Sequence, residues 1–238
     1  MRKSTKNFFL LTMGFFIPLG SCLGQNTRLK EELMSGMNLI NHINNADFNG
    51  FSWLNKPETY EFTEDSFSIL APPESDFFNN PEDGKVTGTA PFLYTEVTGD
   101  FIAITQVQPD FTSLWNAGAL MVYWDSEHWI KFGFEYSDAT GPSIVSVVTR
   151  QESDDANGVI LGDTSAIWLK LIRKNNLYSM HWSRDGKNYK MARLAAMPNK
   201  DIIKIGIEAQ CPAGQGAKHK FSFFSLESKT VTDIRKGE

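Results

Sequence analysis

The chain has 238 residues, of which 41% are hydrophobic and 21% are charged, and its formal net charge is −5. This length and apolar content suit an N-terminal segment followed by one domain with a substantial core. The acidic balance and the lack of a basic stripe argue against nucleic acid as a partner.

The N-terminus has the pattern of a signal peptide. Arg2, Lys3 and Lys6 precede an apolar run over residues 8–17. That run is too short to span a bilayer as a helix, but it has the length of the apolar part of a secretion signal. We therefore predict a signal peptide over residues 1–24 and no transmembrane span. The protein is expected to be exported by a bacterium and to be periplasmic, extracellular or anchored to the cell envelope.

Two cleavage sites remain open for this signal. Residues 19–22 resemble a bacterial lipobox, and processing there would leave Cys22 as a lipidated N-terminus that serves as a lipid anchor. A small-residue site that ends at Gly24 would instead give ordinary cleavage.

The rest of the chain divides into three parts. Residues 25–46 are polar and rich in asparagine, with apolar residues at helix-like spacing that Gly36 interrupts. They are interpreted as a tether that could contain a short helix. Residues 47–229 carry the pattern of a β domain, and residues 230–238 form a C-terminal tail.

The β domain is predicted to contain many short strands separated by tight turns. In chain order the predicted strands are residues 60–63, 66–70, 92–98, 101–108, 120–124, 129–136, 144–150, 167–173, 177–183, 189–194, 202–209 and 221–226. Turn sequences such as Gly99-Asp100 lie between them. Because a dozen strands are too many for one flat sheet, we predict an all-β jelly-roll sandwich of two antiparallel sheets.

The strand over residues 129–136 shows the clearest alternation. Successive side chains of a strand point to opposite faces. One face is apolar and suits a core: Ile130, Phe132, Phe134 and Tyr136. The other face carries Trp129, Lys131 and Glu135 around Gly133, and it is the candidate functional surface.

Each polar residue of that surface needs a partner from elsewhere. Lys131 and Glu135 are separated by roughly 13 Å along the strand, so they cannot pair with each other. Ion pairs with a neighbouring strand and contacts with a ligand both remain open. Trp129 is the best candidate for an aromatic platform on which a sugar ring stacks, since it shares their face.

Catalytic and metal-binding signatures are missing from the sequence. It contains no Glu-x-Asp-x-x-Glu strand pattern, no Gly-x-Ser-x-Gly elbow and no P-loop. The four histidines lack zinc-site spacing, so no metal and no cofactor are predicted. Asp154, Asp155, Asn157 and Asp163 are interpreted as a solvated acidic loop rather than a calcium site.

Several segments in series resemble the domain-of-unknown-function family 1349. They are residues 53–57, 75–78, 92–101, 119–122, 129–135, 146–150, 183–186 and 210–216. This family is related to the fungal regulation-of-enolase protein and to the concanavalin-like C-terminal module of some β-xylosidases. The resemblance implies a concanavalin A-like jelly roll and no established reaction.

The family motifs also imply a set of site residues. They map onto Trp53, Asn55, Asp76, Phe78, Lys131, Glu135, Ser153 and Asp154. With Trp129 and Arg150 from the strand analysis, the predicted ligand-binding residues are Trp53, Asn55, Asp76, Phe78, Trp129, Lys131, Glu135 and Arg150. The chain departs from the motifs at three positions: Phe78 replaces a tryptophan, Asp155 stands where the Ser-Asp-Trp motif has its aromatic residue, and Asn116 occupies the position of an aspartate.

Three functions follow as hypotheses. The first is an exported, non-catalytic carbohydrate-binding or accessory protein. The second is a glycoside hydrolase or lyase that uses Glu135 and Asp76, which would require their carboxyl groups to lie within about 10 Å of each other. The third is a structural or protein-interaction domain at the cell surface, which predicts a flat apolar patch.

Overall fold

The structure, a computed structural model, describes residues 36–238. The predicted signal peptide and the candidate lipidation site Cys22 lie outside these residues and stay predictions. Within the described range, no helix is long and apolar enough to cross a membrane.

The described chain consists of sixteen strands and one 3₁₀ helix at Leu39–His42. The strands are β1 Ser52–Leu54, β2 Tyr60–Phe62, β3 Phe67–Ala71, β4 Phe77–Asn79, β5 Val86–Gly88, β6 Phe92–Thr98, β7 Phe101–Gln108, β8 Ala117–Asp125, β9 His128–Ser137, β10 Gly141–Arg150, β11 Glu152–Ile160, β12 Ile167–Lys174, β13 Leu177–Ser183, β14 Lys190–Ala196, β15 Ile202–Gln210 and β16 Ala217–Glu227.

Two seven-stranded antiparallel sheets form a sandwich. The first sheet has the order β1-β6-β15-β8-β9-β10-β11, and the second has the order β14-β13-β12-β7-β16-β3-β2. Strands β4 and β5 form a separate hairpin. The predicted all-β fold of two antiparallel sheets is therefore confirmed. We call the face of the first sheet that is turned away from the second sheet the outer face.

The core between the sheets follows from alternation along each strand. Phe132 of β9 and Ile205 of β15 project from the first sheet, and Leu169 of β12 and Phe221 of β16 project from the second. Lys131 and Glu135 project to the outer face, as the alternation predicted, because they have the opposite parity on β9.

All twelve predicted strands have a counterpart, but four strands were not predicted: β1, β4, β5 and β11. The interpretation of residues 154–163 as an acidic loop is wrong over β11. This strand pairs with β10 through its backbone, with Val147 opposite Asp155 and Thr149 opposite Ser153. Because β11 lies at the edge of the sheet, backbone pairing defines it and its side chains stay polar.

Both ends of the described chain contact the sandwich. Leu39 and Ile40 of the 3₁₀ helix are buried in the core, and the Asn38 side chain accepts a hydrogen bond from Phe224 N at 3.0 Å. Near the C-terminus Val231 is buried beside Ile172 of β12. Segments 36–46 and 230–238 therefore pack on the sandwich.

Candidate functional site

A pocket of about 670 Å³ opens on the outer face of the first sheet. The β4–β5 hairpin and its connecting loop form one wall, and strands β9 to β11 with the end of β15 form the floor. Its lining is Asp76, Phe78, Asn80, Pro81, Glu82, Lys85, Thr87, Trp115, Lys131, Glu135, Asp138, Val147, Asp155, Gln210 and Pro212.

Strand register brings distant residues together on this floor. Lys131 of β9 lies opposite Val147 of β10, which in turn lies opposite Asp155 of β11. Residues directly opposite each other in antiparallel strands place their side chains on the same face. Gly133, between Lys131 and Glu135, is buried, and a Cβ atom at this position would lie only 3.2 Å from Ala119 Cβ on β8.

The Lys131 ammonium group is fully engaged by the protein. It donates to Asp76 Oδ1 at 3.1 Å, to the Phe77 carbonyl at 2.9 Å and to Gln210 Oε1 at 2.5 Å. An ammonium group has three N–H donors, and three acceptors are present. Lys131 therefore connects the β4–β5 hairpin to β15 and has no donor left for a ligand.

The protonation of the pocket reflects burial and the crowding of carboxyl groups. Burial by itself would lower the pKa of Lys131, but Asp76, Glu208 and Glu135 together raise it above its usual value. Burial raises the pKa of Glu135 to about 8, a shift that Lys131 opposes and the neighbouring carboxylates reinforce. At neutral pH the site therefore holds a charged lysine and a protonated Glu135.

Glu208 of β15 is a second buried acid on the same face. Its side chain is completely inaccessible, and neither carboxyl oxygen has a hydrogen-bond partner among the described residues. Burial raises the pKa of Glu208 to about 8, with an opposing contribution from Lys131. Glu208 is therefore a neutral acid next to the charged groups of the pocket at pH 7.

Trp115 forms part of the pocket wall in an unusual conformation. Its φ angle is +61°, and 41% of its surface is exposed. Its backbone N–H donates to the Tyr136 carbonyl at 2.7 Å, and its own carbonyl accepts a bond from Gln210 Nε2 at 2.9 Å. A bulky side chain at positive φ is costly, and such strain is concentrated at functional sites.

The hairpin that covers the floor is anchored at its base by Asn79. The Asn79 backbone N–H donates to Ser153 Oγ at 2.9 Å, and its side-chain amide donates to the carbonyls of Ser126 and Gln151 at 2.9 and 2.8 Å. These bonds reach two loops and β11. The wall of the pocket is therefore attached to the sheet at Asn79 as well as at Lys131.

Four of the eight predicted ligand-binding residues line the pocket: Asp76, Phe78, Lys131 and Glu135. The platform role predicted for Trp129 is wrong, because Trp129 is only 1% exposed and its ring packs against Phe77 with 6.0 Å between ring centroids. Instead, the centroid of the Trp129 ring lies 5.9 Å from Lys131 Nζ, a distance at which the ring face stabilises the ammonium charge by a cation–π interaction.

The remaining three predicted residues do not reach the pocket. Asn55 holds the end of the hairpin, since its amide donates to the carbonyls of Gly88 and Ala90 at 2.8 and 3.0 Å. Trp53 packs on the core side of the first sheet. Arg150 is half exposed, and its guanidinium lies 4.0 Å from Asp154. Strand parity aims both Trp53 and Arg150 away from the outer face.

Several pocket residues were not predicted. Gln210 lies inside a segment that carried the family resemblance, but nothing in its local pattern marked it as a partner of Lys131. Asp155 was noted only as a departure from a family motif. Trp115 stands in a turn before β8, and its positive φ angle is invisible in the sequence. Among residues 36–238, no three acidic, histidine or cysteine side chains are placed to hold a metal ion.

The geometry agrees with a family assignment. Residues 53–229 match the family described as "Protein of unknown function (DUF1349)". The chain belongs to this family. The matched region contains every strand from β2 to β16 and all residues that line the pocket.

Two similar proteins come from yeast. The protein "Regulation of enolase protein 1" of Saccharomyces cerevisiae is 30% identical over 182 residues, which cover 76% of this chain and 91% of the yeast protein. A functionally unknown protein of known structure from Saccharomyces cerevisiae is 29% identical, with a TM-score of 0.72 over 76% of this chain and 98% of that chain.

A more distant structure shares the fold alone. The GH43 BlXynB protein from Bacillus licheniformis is 13% identical, with a TM-score of 0.63 over 81% of this chain and 39% of that chain. The region of similarity is thus about two-fifths of the larger protein.

The yeast relatives correct one prediction. We predicted an exported bacterial protein that is periplasmic, extracellular or anchored to the cell envelope. This localisation is contradicted, because the relative at 30% identity is a eukaryotic protein whose name describes regulation. The prediction depended on an N-terminal pattern of charge and apolar residues. Such a pattern is a short composition signal and is separate from the folded domain that the relatives share.

Proposed function

We propose that the protein is a non-catalytic carbohydrate-binding or accessory protein whose ligand occupies the pocket beneath the β4–β5 hairpin. The observation that carries this proposal is the mixture of polar and aromatic groups in one cavity of about 670 Å³. Phe78 and Trp115 offer aromatic faces, while Glu135, Asp155 and Gln210 offer hydrogen-bonding atoms. Sugar rings need both, because their C–H faces are apolar and their hydroxyl groups require partners.

Replacing Trp115 by alanine tests this proposal. We expect the affinity for a bound glycan to fall about 10-fold to 100-fold, the range expected for losing one buried aromatic contact of about 1.5–3 kcal/mol. The measurement is a glycan array followed by calorimetric titration with each glycan that binds. Trp168→Ala is the matched control, since Trp168 stands on β12 of the other sheet. Equal losses in both variants, or no glycan bound by the native protein, would contradict carbohydrate binding in this pocket.

A glycoside hydrolase or lyase is the second candidate, and one observation favours it. Glu135 lines the pocket with a pKa raised to about 8, so it is protonated at neutral pH as a general acid must be. The proposed carboxylate partner Asp76 lines the same pocket, 3.1 Å from Lys131. That ion pair reduces the freedom of Asp76 to act as a nucleophile or base, and for this reason we rank catalysis second.

If the pocket is catalytic, Glu135→Gln is expected to lower the rate of glycan cleavage at least about 100-fold, because the amide cannot transfer a proton. The release of reducing ends from the glycans that bind is the measurement. Glu64→Gln, in the exposed turn before β3, controls for the loss of one carboxyl group. Bound glycans that stay intact with the native protein would reject catalysis and leave the binding proposal standing.

The third hypothesis, a structural or interaction domain, predicted a flat apolar patch. The lining of the pocket is mainly polar instead, and no specific observation favours this hypothesis over the other two.

A further inference from the structure

The pocket carries an excess of acidic groups. Five carboxyl groups line it, from Asp76, Glu82, Glu135, Asp138 and Asp155, against two ammonium groups. Because Glu135 is protonated at neutral pH, the other four carboxyl groups supply the acidic excess. Charged groups that line a cleft with low-dielectric walls create a strong local potential, so this excess favours cationic ligands and repels anionic ones. An acidic cluster alone is common on protein surfaces, but here the two ammonium groups and the buried Glu135 are placed in a particular way.

Neither ammonium group is available to an anion on the floor of the pocket. The three N–H donors of Lys131 are taken by Asp76, Phe77 and Gln210 at 2.5–3.1 Å. Lys85 is exposed, immediately precedes β5 and stands at the edge of the pocket. An anionic ligand on the floor would therefore meet carboxyl groups without gaining a new bond to a cation.

Glu135 supplies the second observation. It is only 7% exposed, it lines the pocket, and its carboxyl group makes no hydrogen bond to any described residue. A buried carboxyl group without a partner is costly, and a ligand that donates to it removes this cost. Asp155 lies on the same face across β10, opposite Lys131, and its carboxyl group lines the same pocket as that of Glu135.

We propose that the ligand of this pocket carries protonated amino groups, which bind against Asp155 and donate a hydrogen bond to Glu135. This inference rests on the proposed carbohydrate-binding function and names the substrate class as amino sugars with a free amine. The neutral parts of such a ligand face Trp115 and Phe78 on the pocket walls. The ammonium group replaces the missing hydrogen-bond partner of Glu135 and offsets the repulsion among the carboxyl groups.

Calorimetric titration with three matched tetrasaccharides tests the inference. The glucosamine tetramer has free amines, the N-acetylglucosamine tetramer has the same backbone with neutral amides, and cellotetraose has hydroxyl groups at those positions. At about pH 6, where the free amines are charged, we expect the glucosamine tetramer to bind at least about 10-fold more tightly than the other two. Its affinity is also expected to fall as salt is added.

Variants identify the groups that recognise the amine. Asp155→Asn is expected to weaken binding of the glucosamine tetramer about 10-fold or more, since it removes a charge-assisted hydrogen bond. Glu135→Gln is expected to weaken binding less, because the protonated Glu135 and glutamine are both neutral and both accept a hydrogen bond. Glu64→Gln removes one carboxyl group outside the pocket and is expected to leave the affinity unchanged. Melting temperatures of all variants confirm that they are folded.

The outcomes separate this inference from the proposed function. Equal affinity for all three tetramers, or binding of neutral glycans alone, would overturn amine recognition and keep carbohydrate binding. Spermidine bound as tightly as the glucosamine tetramer, with no neutral glycan bound, would support amine recognition and overturn the sugar assignment. No binding of either amine would overturn the inference itself.

Discussion

Replacing Lys131 by methionine is expected to lower the free energy of unfolding by about 3–5 kcal/mol. The ammonium group satisfies Asp76, the Phe77 carbonyl and Gln210 at once, and it is 4% exposed. Methionine fills a similar volume but donates no hydrogen bond, so it leaves these acceptors without their donor. The large effect comes from leaving the partners unsatisfied, in addition to losing the ion pair.

Urea denaturation at neutral pH measures this loss. Lys220→Met is the matched control, because Lys220 is exposed on β16 and its replacement is expected to change the free energy of unfolding by less than about 0.5 kcal/mol. Asp76→Asn is expected to cost less than Lys131→Met, since the Asp76 side chain is 22% exposed and its amide can be solvated. A loss below about 1 kcal/mol for Lys131→Met would show that the hairpin is held mainly by other contacts, such as those of Asn79.

Replacing Glu208 by glutamine is expected to flatten the pH dependence of stability. The pKa of Glu208 is about 8 in the folded protein and 4.5 as the ordinary value. Between about pH 4.5 and about pH 8, Glu208 is protonated in the folded state and ionised in the unfolded state. The free energy of unfolding therefore falls as pH rises through this range. Each unit of pKa shift corresponds to about 1.36 kcal/mol, which sets an upper limit near 5 kcal/mol for this group.

Glutamine is neutral at every pH and has nearly the same shape, so it removes the contribution of Glu208 and keeps that of Glu135. We expect the fall in stability between about pH 4.5 and about pH 8.5 to be smaller in the variant by about 3 kcal/mol. Urea titrations across this range measure it, with Glu64→Gln as the control. An unchanged fall would mean that Glu208 is already ionised in the folded protein and serves as a counter-charge to Lys131.

The alternation along β9 could be predicted from the sequence because it is a local property. Phe132 and Phe134 had to face a core, and this parity placed Lys131 and Glu135 on the opposite face whatever the rest of the fold. Strand positions followed in the same way from apolar runs and turn residues. The exceptions, including β4 and β11, are short or polar strands that exist through backbone pairing with the neighbouring strands β5 and β10, and they lack an apolar alternation of their own.

The composition of the site could not be predicted in the same way. Gln210 bonds to Lys131 across 79 positions of sequence, and no local pattern records that contact. Nothing in the sequence indicated that Phe77 would cover Trp129. The prediction therefore treated Trp129, which lies on the outer face, as an exposed aromatic platform. Burial of the outer face depends on the docked hairpin, which is a long-range event.

The sequence by itself therefore determined the fold class, most of the strands, the family and the face on which the site lies. Local periodicity and short motifs carry that information, and they do not depend on which segments meet. Tertiary structure decided which of the predicted site residues share a pocket. It also decided that the ammonium group of Lys131 donates its hydrogen bonds to acceptors within the protein. It also placed Glu135 and Glu208 as buried, raised-pKa acids, because desolvation and the neighbouring charges exist only once the strands and the hairpin have packed together.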